Sequence, residues 1–169
     1  QAPYLRSVAL LGKAEQVVAS STAGNVGVRL TRADFLPQTA APVEVLRIGL
    51  PQEGRDLYDA RPIALDRAIP GVSFIPVARD VRVAGDGWTT VVAAVNTDYF
   101  LNFYSNHLAA GEGLVQLLRY DGRLLLSTDE SERPGTPGGS EQVLARMVEK
   151  EAGQFQAVAE NGRAVLTAY

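Results

Sequence analysis

The hydrophobic positions in residues 71–83, GVSFIPVARDVRV, repeat with a period of two: Ile75, Val77, Val81 and Val83 share one face, the pattern of a β-strand. Arg79 falls on that face as well. A guanidinium stays charged, so a strand that turns one toward a core must place a carboxylate beside it or bind an anion there. Asp66, Asp80 and Asp98 are the internal acids available; a ligand carboxylate or phosphate, which suits the planar fork of arginine, is the alternative. The next run, WTTVVAAVN (88–96), is nearly all apolar. It reads as a central strand buried on both faces, joined to the first by a hairpin through residues 84–87.

Three more stretches, SVALLGKAEQVVASS (7–21), LVQLLRYDGRLLLST (114–128) and QFQAVAENGRAVLTA (154–168), each set two short β-like runs around a polar turn. In the last two the turns are Asp121-Gly122 and Asn161-Gly162, which tolerate the positive φ of tight hairpins. The repeat DGRLLLST (121–128) and NGRAVLTA (161–168), at a spacing of 40, gives too few copies for a solenoid and predicts antiparallel meanders. Residues 31–70 hold five of the nine prolines and little periodicity, which predicts loops with short helical turns lying across a sheet.

Two helices are predicted. After Thr97-Asp98, residues Phe100, Phe103, Tyr104, His107 and Leu108 follow helical spacing, with Gly111 as the C-cap. Ser140 offers an N-cap to EQVLARMVEKEAG, in which Leu144, Met147 and Val148 form a narrower stripe. ESERPGTPGG between them is a polar loop. The fold class is α+β, mainly antiparallel, in two hairpin-led units joined by a helix.

Composition narrows the function. With 46% hydrophobic and 21% charged residues over 169 positions, the chain is globular and large enough for a real core. A net charge of −3 and only two lysines, Lys13 and Lys150, speak against a nucleic-acid partner. The absence of cysteine removes thiolate chemistry and cysteine-based metal sites. No apolar run approaches the roughly 18 residues of a spanning helix.

YLRSVALLGKAEQVVASSTAGNVG (4–27), a hairpin running into a small-residue turn, is followed by VVAAVNTDYFLNFYSNHLAAGEGLVQLLRYDGRLLLST (91–128), a buried strand feeding a helix and a second hairpin. This succession resembles the double Cache, or PDC-type, PAS-like sensor domains that stand outside the bacterial inner membrane on receptor histidine kinases, diguanylate cyclases and chemoreceptors. The resemblance implies a first PAS-like lobe at 1–97 with the ligand pocket, a connecting helix at 98–111, and a smaller, truncated second lobe at 112–169. It implies a periplasmic sensor module that binds a small ligand, anionic in view of Arg79, and relays a conformational change to a cytoplasmic output domain. The module itself would be neither an enzyme nor a cofactor carrier, and would form a homodimer. A ligand-free dimerisation or partner-binding platform is the competing expectation. The long amino-terminal helix and closing strand of such domains are missing, and the chain starts at Gln1, so an excised segment with membrane anchors outside it is expected. Relatives that bind amino acids carry an Arg-x-Trp-Tyr phrase; here Gly87 precedes the lone Trp88, so that mode is not expected.

The candidate ligand-binding residues are therefore Arg79 together with Tyr58 and Arg61 of LYDARPI (57–63), a segment expected to cover the pocket. Each also has an ordinary packing or surface reading. His107, the lone histidine, has no Gly-x-Ser-x-Gly context and lies two residues from Ser105, on another helix face, so it reads as a helix-packing residue. Asp129, Glu130 and Glu132 lack the ligand spacing of an EF-hand and read as a solvated loop; no metal site is expected. Residues 23–27, AGNVG, have the wrong spacing for a dinucleotide loop and read as a tight turn, and Trp88 reads as a core or interface aromatic.

Overall fold

A computed structural model describes residues 2–12, 14–31, 36, 44–63, 72–85, 87–108, 113–158, 162 and 164–169. Asp66, Gly111, Asn161 and much of the proline-rich segment lie outside the described residues.

Antiparallel pairing follows the alternation. The first hairpin forms from β1 (Leu5–Leu11) and β2 (Val17–Ser20). Short strands β3 (Arg47–Ile48), β4 (Gln52–Glu53) and β5 (Arg61–Pro62) come from the proline-rich region. The long hairpin of β6 (Ser73–Val83) and β7 (Gly87–Asn96) pairs in unbroken register from Phe74 opposite Asn96 to Val83 opposite Gly87. Together they make one curled sheet in the order β2-β1-β7-β6-β4-β5, with β3 beside β6. β7 is central, as its composition predicts.

That sheet has two differently covered faces. On the inner face Ala9, Leu11, Phe74, Ala78, Val92 and Ala94 pack beneath Val17, Leu30, Leu36 and Leu57, which arrive from the second strand and the loops. On the outer face Ile75 packs with Leu125 and Leu126, flanked by Val77, Val95 and Ile48. The outer cover is α1 (Thr97–His107), which follows β7 without a linker, and the hairpin of β8 (Gln116–Leu118) and β9 (Leu124–Ser127). Gly122 takes φ 78° in the turn of that hairpin, a conformation glycine adopts without strain. The chain continues through α2 (Glu141–Glu149), capped by Ser140 Oγ accepting from Val143 N, to a separate hairpin of β10 (Gln154–Val158) and β11 (Ala164–Ala168).

Four local expectations are corrected. The well-buried side of β6 is the even-numbered one, Phe74, Pro76, Ala78 and Asp80; the odd side is covered only near Ile75 and Val77, so Arg79 is exposed. Two covers of different length lie on the two faces, and the cover ends before position 79 on the outer side. For the same reason the outer side of β7, Val91, Ala93 and Val95, is only half-buried. On α1, Phe100, Leu101 and Tyr104 face the core, whereas Phe103 is 48% exposed and stacks on the exposed His107 ring with centroids 4.3 Å apart. The direct junction with β7 sets the helix phase: Thr97 is buried and its hydroxyl donates to Ser73 O at 2.6 Å. On α2, Val143 joins Leu144 and Met147 on the half-buried side, while Val148 is 88% exposed and the helix stops at Glu149.

A guanidinium also ties the β8–β9 hairpin to the large sheet. Arg119 pairs with Asp121 in the hairpin turn, and its Nη1 donates to Ile48 O at 3.2 Å.

Two expectations arise from this packing. Leu126→Ala and Phe74→Ala should each cost about 2–5 kcal/mol in urea unfolding, whereas Phe103→Ala should stay within about 0.5 kcal/mol; equal effects would refute the α1 orientation. The second concerns Asp121, whose carboxyl the Arg119 guanidinium holds below the ordinary value of 3.8. A depressed carboxylate stabilises the fold at neutral pH and loses that contribution as pH falls through its folded pKa, so acidification below about pH 4 should cost the wild type more than Asp121→Asn. Parallel pH profiles would remove Asp121 from the latch.

Candidate functional site

On the inner side of β6 the buried charged residue is Asp80. It lies between Ala78 and the hairpin end of β6, opposite Thr90 of β7, whose hydroxyl donates to Asp80 Oδ1 at 2.6 Å. Arg47 pairs with Ala78 across the β3–β6 ladder, which puts it on the same face, and its Nη2 donates to Asp80 Oδ1 at 3.0 Å. The two side chains are only 10% and 5% exposed. This is a buried ion pair on the inner face, beside Ala78. Arg47 Nε is the odd atom: it is buried and has no hydrogen-bond partner among the described residues. A buried donor without an acceptor costs about 1–3 kcal/mol. An incoming carboxylate, phosphate or carbonyl oxygen would remove that cost.

A second polar cluster holds the inner cover in place. Asn25, fully buried in the 3₁₀ turn Ala23–Asn25, donates from Nδ2 to Ser7 Oγ and to Asp56 Oδ1, each at 3.0 Å, and accepts from Tyr58 N at 3.0 Å. Asp56 also accepts from Ser7 Oγ and from Leu57 N, and forms a capping box with Asp59 around the 3₁₀ turn Leu57–Asp59. Leu57 is thereby pressed onto the inner core at 2% exposure. The small-residue stretch 23–27 is thus a tight turn whose asparagine fastens the cover.

The sequence-derived candidates are not brought together. Arg79 stands exposed on the outer face, across the sheet from the inner cover. Tyr58 is 50% exposed on the cover itself, against Gly24, and Arg61 is exposed on β5 at the far margin of the sheet. Arg47 escapes sequence reasoning because its strand is two residues long and shows no periodicity. Asp80 enters that reasoning only as a partner for Arg79; the signal for its burial is the even-numbered run Phe74, Pro76, Ala78, whose small members hide a buried face.

Two acids of the 129–132 loop have structural partners. Asp129 Oδ1 accepts from Ser131 N and Oγ, which lowers its pKa, and Glu132 accepts two hydrogen bonds from Gln116 Nε2 at 2.7 and 2.8 Å. A cavity of about 270 Å³ lies beside them, between Leu124, Arg133, Thr136 and Pro137. Among the described residues no group of three or more His, Asp or Glu side chains is placed to hold a metal ion, and no helix is long and apolar enough to cross a membrane. Trp88, 38% exposed, lies at the open hairpin end under the Arg82 guanidinium, 5.2 Å from the ring centroid.

No protein-family model matches the chain, and no curated protein matches it. Among solved structures, it is similar to the extracellular domain of the putative histidine kinase rpHK1S-Z16, at 21% identity and a TM-score of 0.64. The likeness takes in 98% of this chain and 65% of that one, so this chain spans about two thirds of its neighbour's length. At that similarity the two share a fold: an α+β, mainly antiparallel, PAS-like architecture.

Proposed function

We propose that this chain is an extracytoplasmic sensor module of a membrane-bound signalling receptor, built in the double Cache manner. The observation that carries this reading is the fold it shares, over almost its whole length, with the extracellular domain of a protein named as a histidine kinase. The module is a binding unit and not itself an enzyme; its output domain, a histidine kinase or a diguanylate cyclase, lies on the cytoplasmic side, beyond flanking membrane segments. Residues 1–97 form the ligand-binding lobe, 98–111 the connection and 112–169 the second lobe.

The ligand is small and anionic, and it binds between the inner face of the sheet and its loop cover. Arg47 replaces Arg79 as its anchor, because Arg47 is buried on the covered face and holds an N–H without an acceptor. Asp80, itself held by the Thr90 hydroxyl, accepts from Nη2 of the same guanidinium and so orients that donor. Tyr58 and Arg61 lie on and beside the cover, where a closing ligand could recruit them; Arg79 has no part in binding. A response requires only that the ligand prefer one arrangement of the cover over another.

The competing reading, a ligand-free dimerisation platform, is favoured by an exposed aromatic patch at the start of β1 and along α1. Tyr4, Tyr99 and Phe103 are 47%, 37% and 48% exposed, and the Tyr4 and Tyr99 rings meet edge to face at 6.2 Å.

A thermal-shift screen against small carboxylates, phosphates and amino acids decides between them. A compound at about 100 times its dissociation constant should stabilise the wild type and Arg79→Ala alike by about 2.7 kcal/mol. Arg47→Lys, which keeps the charge but loses the fork, should still fold and should lose most of that shift. A shift abolished by Arg79→Ala, or retained in Arg47→Lys, would place the anchor elsewhere. If no compound acts, sedimentation velocity of the wild type and Phe103→Ser tests the platform: a dimer present in the first and absent in the second establishes it.

A further inference from the structure

One guanidinium links the cover of the inner face to the first turn of α1. Arg6 occupies a β-bulge: Leu5 pairs with Val95 and Ser7 with Ala94, so Arg6 is the extra residue between them. A bulge re-aims its side chain out of the pleat, and here every nitrogen of the guanidinium finds an acceptor. Nε donates to Asn96 Oδ1 at 3.2 Å, and Nη2 to Asp98 Oδ2 at 2.8 Å. Nη1 donates to two cover carbonyls, Gly54 O at 3.3 Å and Arg55 O at 2.8 Å.

Both ends of this link are stiff. At the cover, Gly54 adopts φ +124°, and a Cβ there would stand 2.6 Å from Asp59 O, so this tight turn requires glycine to present its carbonyls to Arg6. The turn leads directly into Asp56 and Leu57, the residues that anchor the cover to Ser7, Asn25 and the inner core. At the other end, Asp98 lies in the first turn of α1, and Asn96 Nδ2 donates to Pro3 O at 3.1 Å. The helix beyond packs Phe100, Leu101 and Tyr104 toward Leu125 and Leu126 of the second hairpin.

We infer that Arg6 is a positioning residue that couples the state of the 54–59 cover to the placement of α1, giving the inner face a direct route to the second lobe. Its use in signalling rests on the sensor reading; the coupling itself does not. A cover that lifts withdraws two carbonyl acceptors from Arg6, so the guanidinium is no longer held from both sides and its grip on Asn96 and Asp98 loosens. A planar, multidentate donor transmits such a shift better than a single contact does.

Hydrogen exchange of the whole chain, followed by mass spectrometry without any ligand, tests this in both directions. Asp98→Ala should speed exchange of the Asp56–Asp59 amides by about tenfold, the consequence of losing a charge-assisted hydrogen bond about 40 positions away in sequence. Gly54→Ala should speed exchange of the first hydrogen-bonded amides of α1, Phe100–Tyr104, by a comparable factor. In an Arg6→Gln background both remote effects should vanish while the local ones remain. Effects confined to the mutated element in either single variant would overturn the relay, even if Arg6→Gln does not fold. Because no ligand is used, a failed relay leaves the thermal-shift test of sensing standing, and reciprocal coupling in a chain that binds nothing establishes the relay without the sensor.

Discussion

The pairing of β6 with β7 is the constraint around which the other elements are arranged. Its register runs unbroken from Phe74 opposite Asn96 to Val83 opposite Gly87, which fixes at once which side chains look inward and which outward. A slip of one residue would exchange the two faces. Phe74 and Ala78 would leave the loop-covered core, and Asp80 would lose Arg47 and Thr90. The first hairpin adds β1 to the free edge of β7, the short strands add to the free edge of β6, and α1 begins where β7 ends.

Buried polarity on the inner face is of two kinds. Ser7, Asn25 and Asp56 form a mutually satisfied cluster, in which each donor named has an acceptor, and such a cluster specifies one position of the cover. Arg47 and Asp80 are paired but leave one donor over. A buried ion pair is weak evidence for stability, since its desolvation largely offsets its attraction.

The hairpins are legible in the sequence because their signals are local: period-two runs closed by Asp-Gly or Asn-Gly turns need no knowledge of the rest of the chain. Facing is less legible, and for a physical reason. β6 is apolar on both sides over part of its length, so alternation alone does not say which side is the deeper one, and it turns Arg79 inward when Asp80 is the buried charge. The helix stripe is misphased by the same reasoning, Phe103 for Leu101, because aromatic residues surround α1 and the junction with β7 determines its rotation. Arg47 and the Asn25–Asp56 cluster are invisible for another cause: their partners are 33 and 31 positions distant, and neither lies in a periodic segment.

The seamless passage from β7 into α1 makes the spacing at that junction a gear setting. Each residue added to an α-helix rotates the remainder of the helix by about 100°. One residue inserted between Asn96 and Thr97 would therefore swing Phe100, Leu101 and Tyr104 off Leu125 and Leu126 and present Phe103 and His107 in their place. The turn at residues 84–87, which joins the same long strands at their other end, engages no such rotation. Length variation in this fold should thus be tolerated at the tip of the long hairpin and purged at its base, where one added residue re-indexes everything downstream.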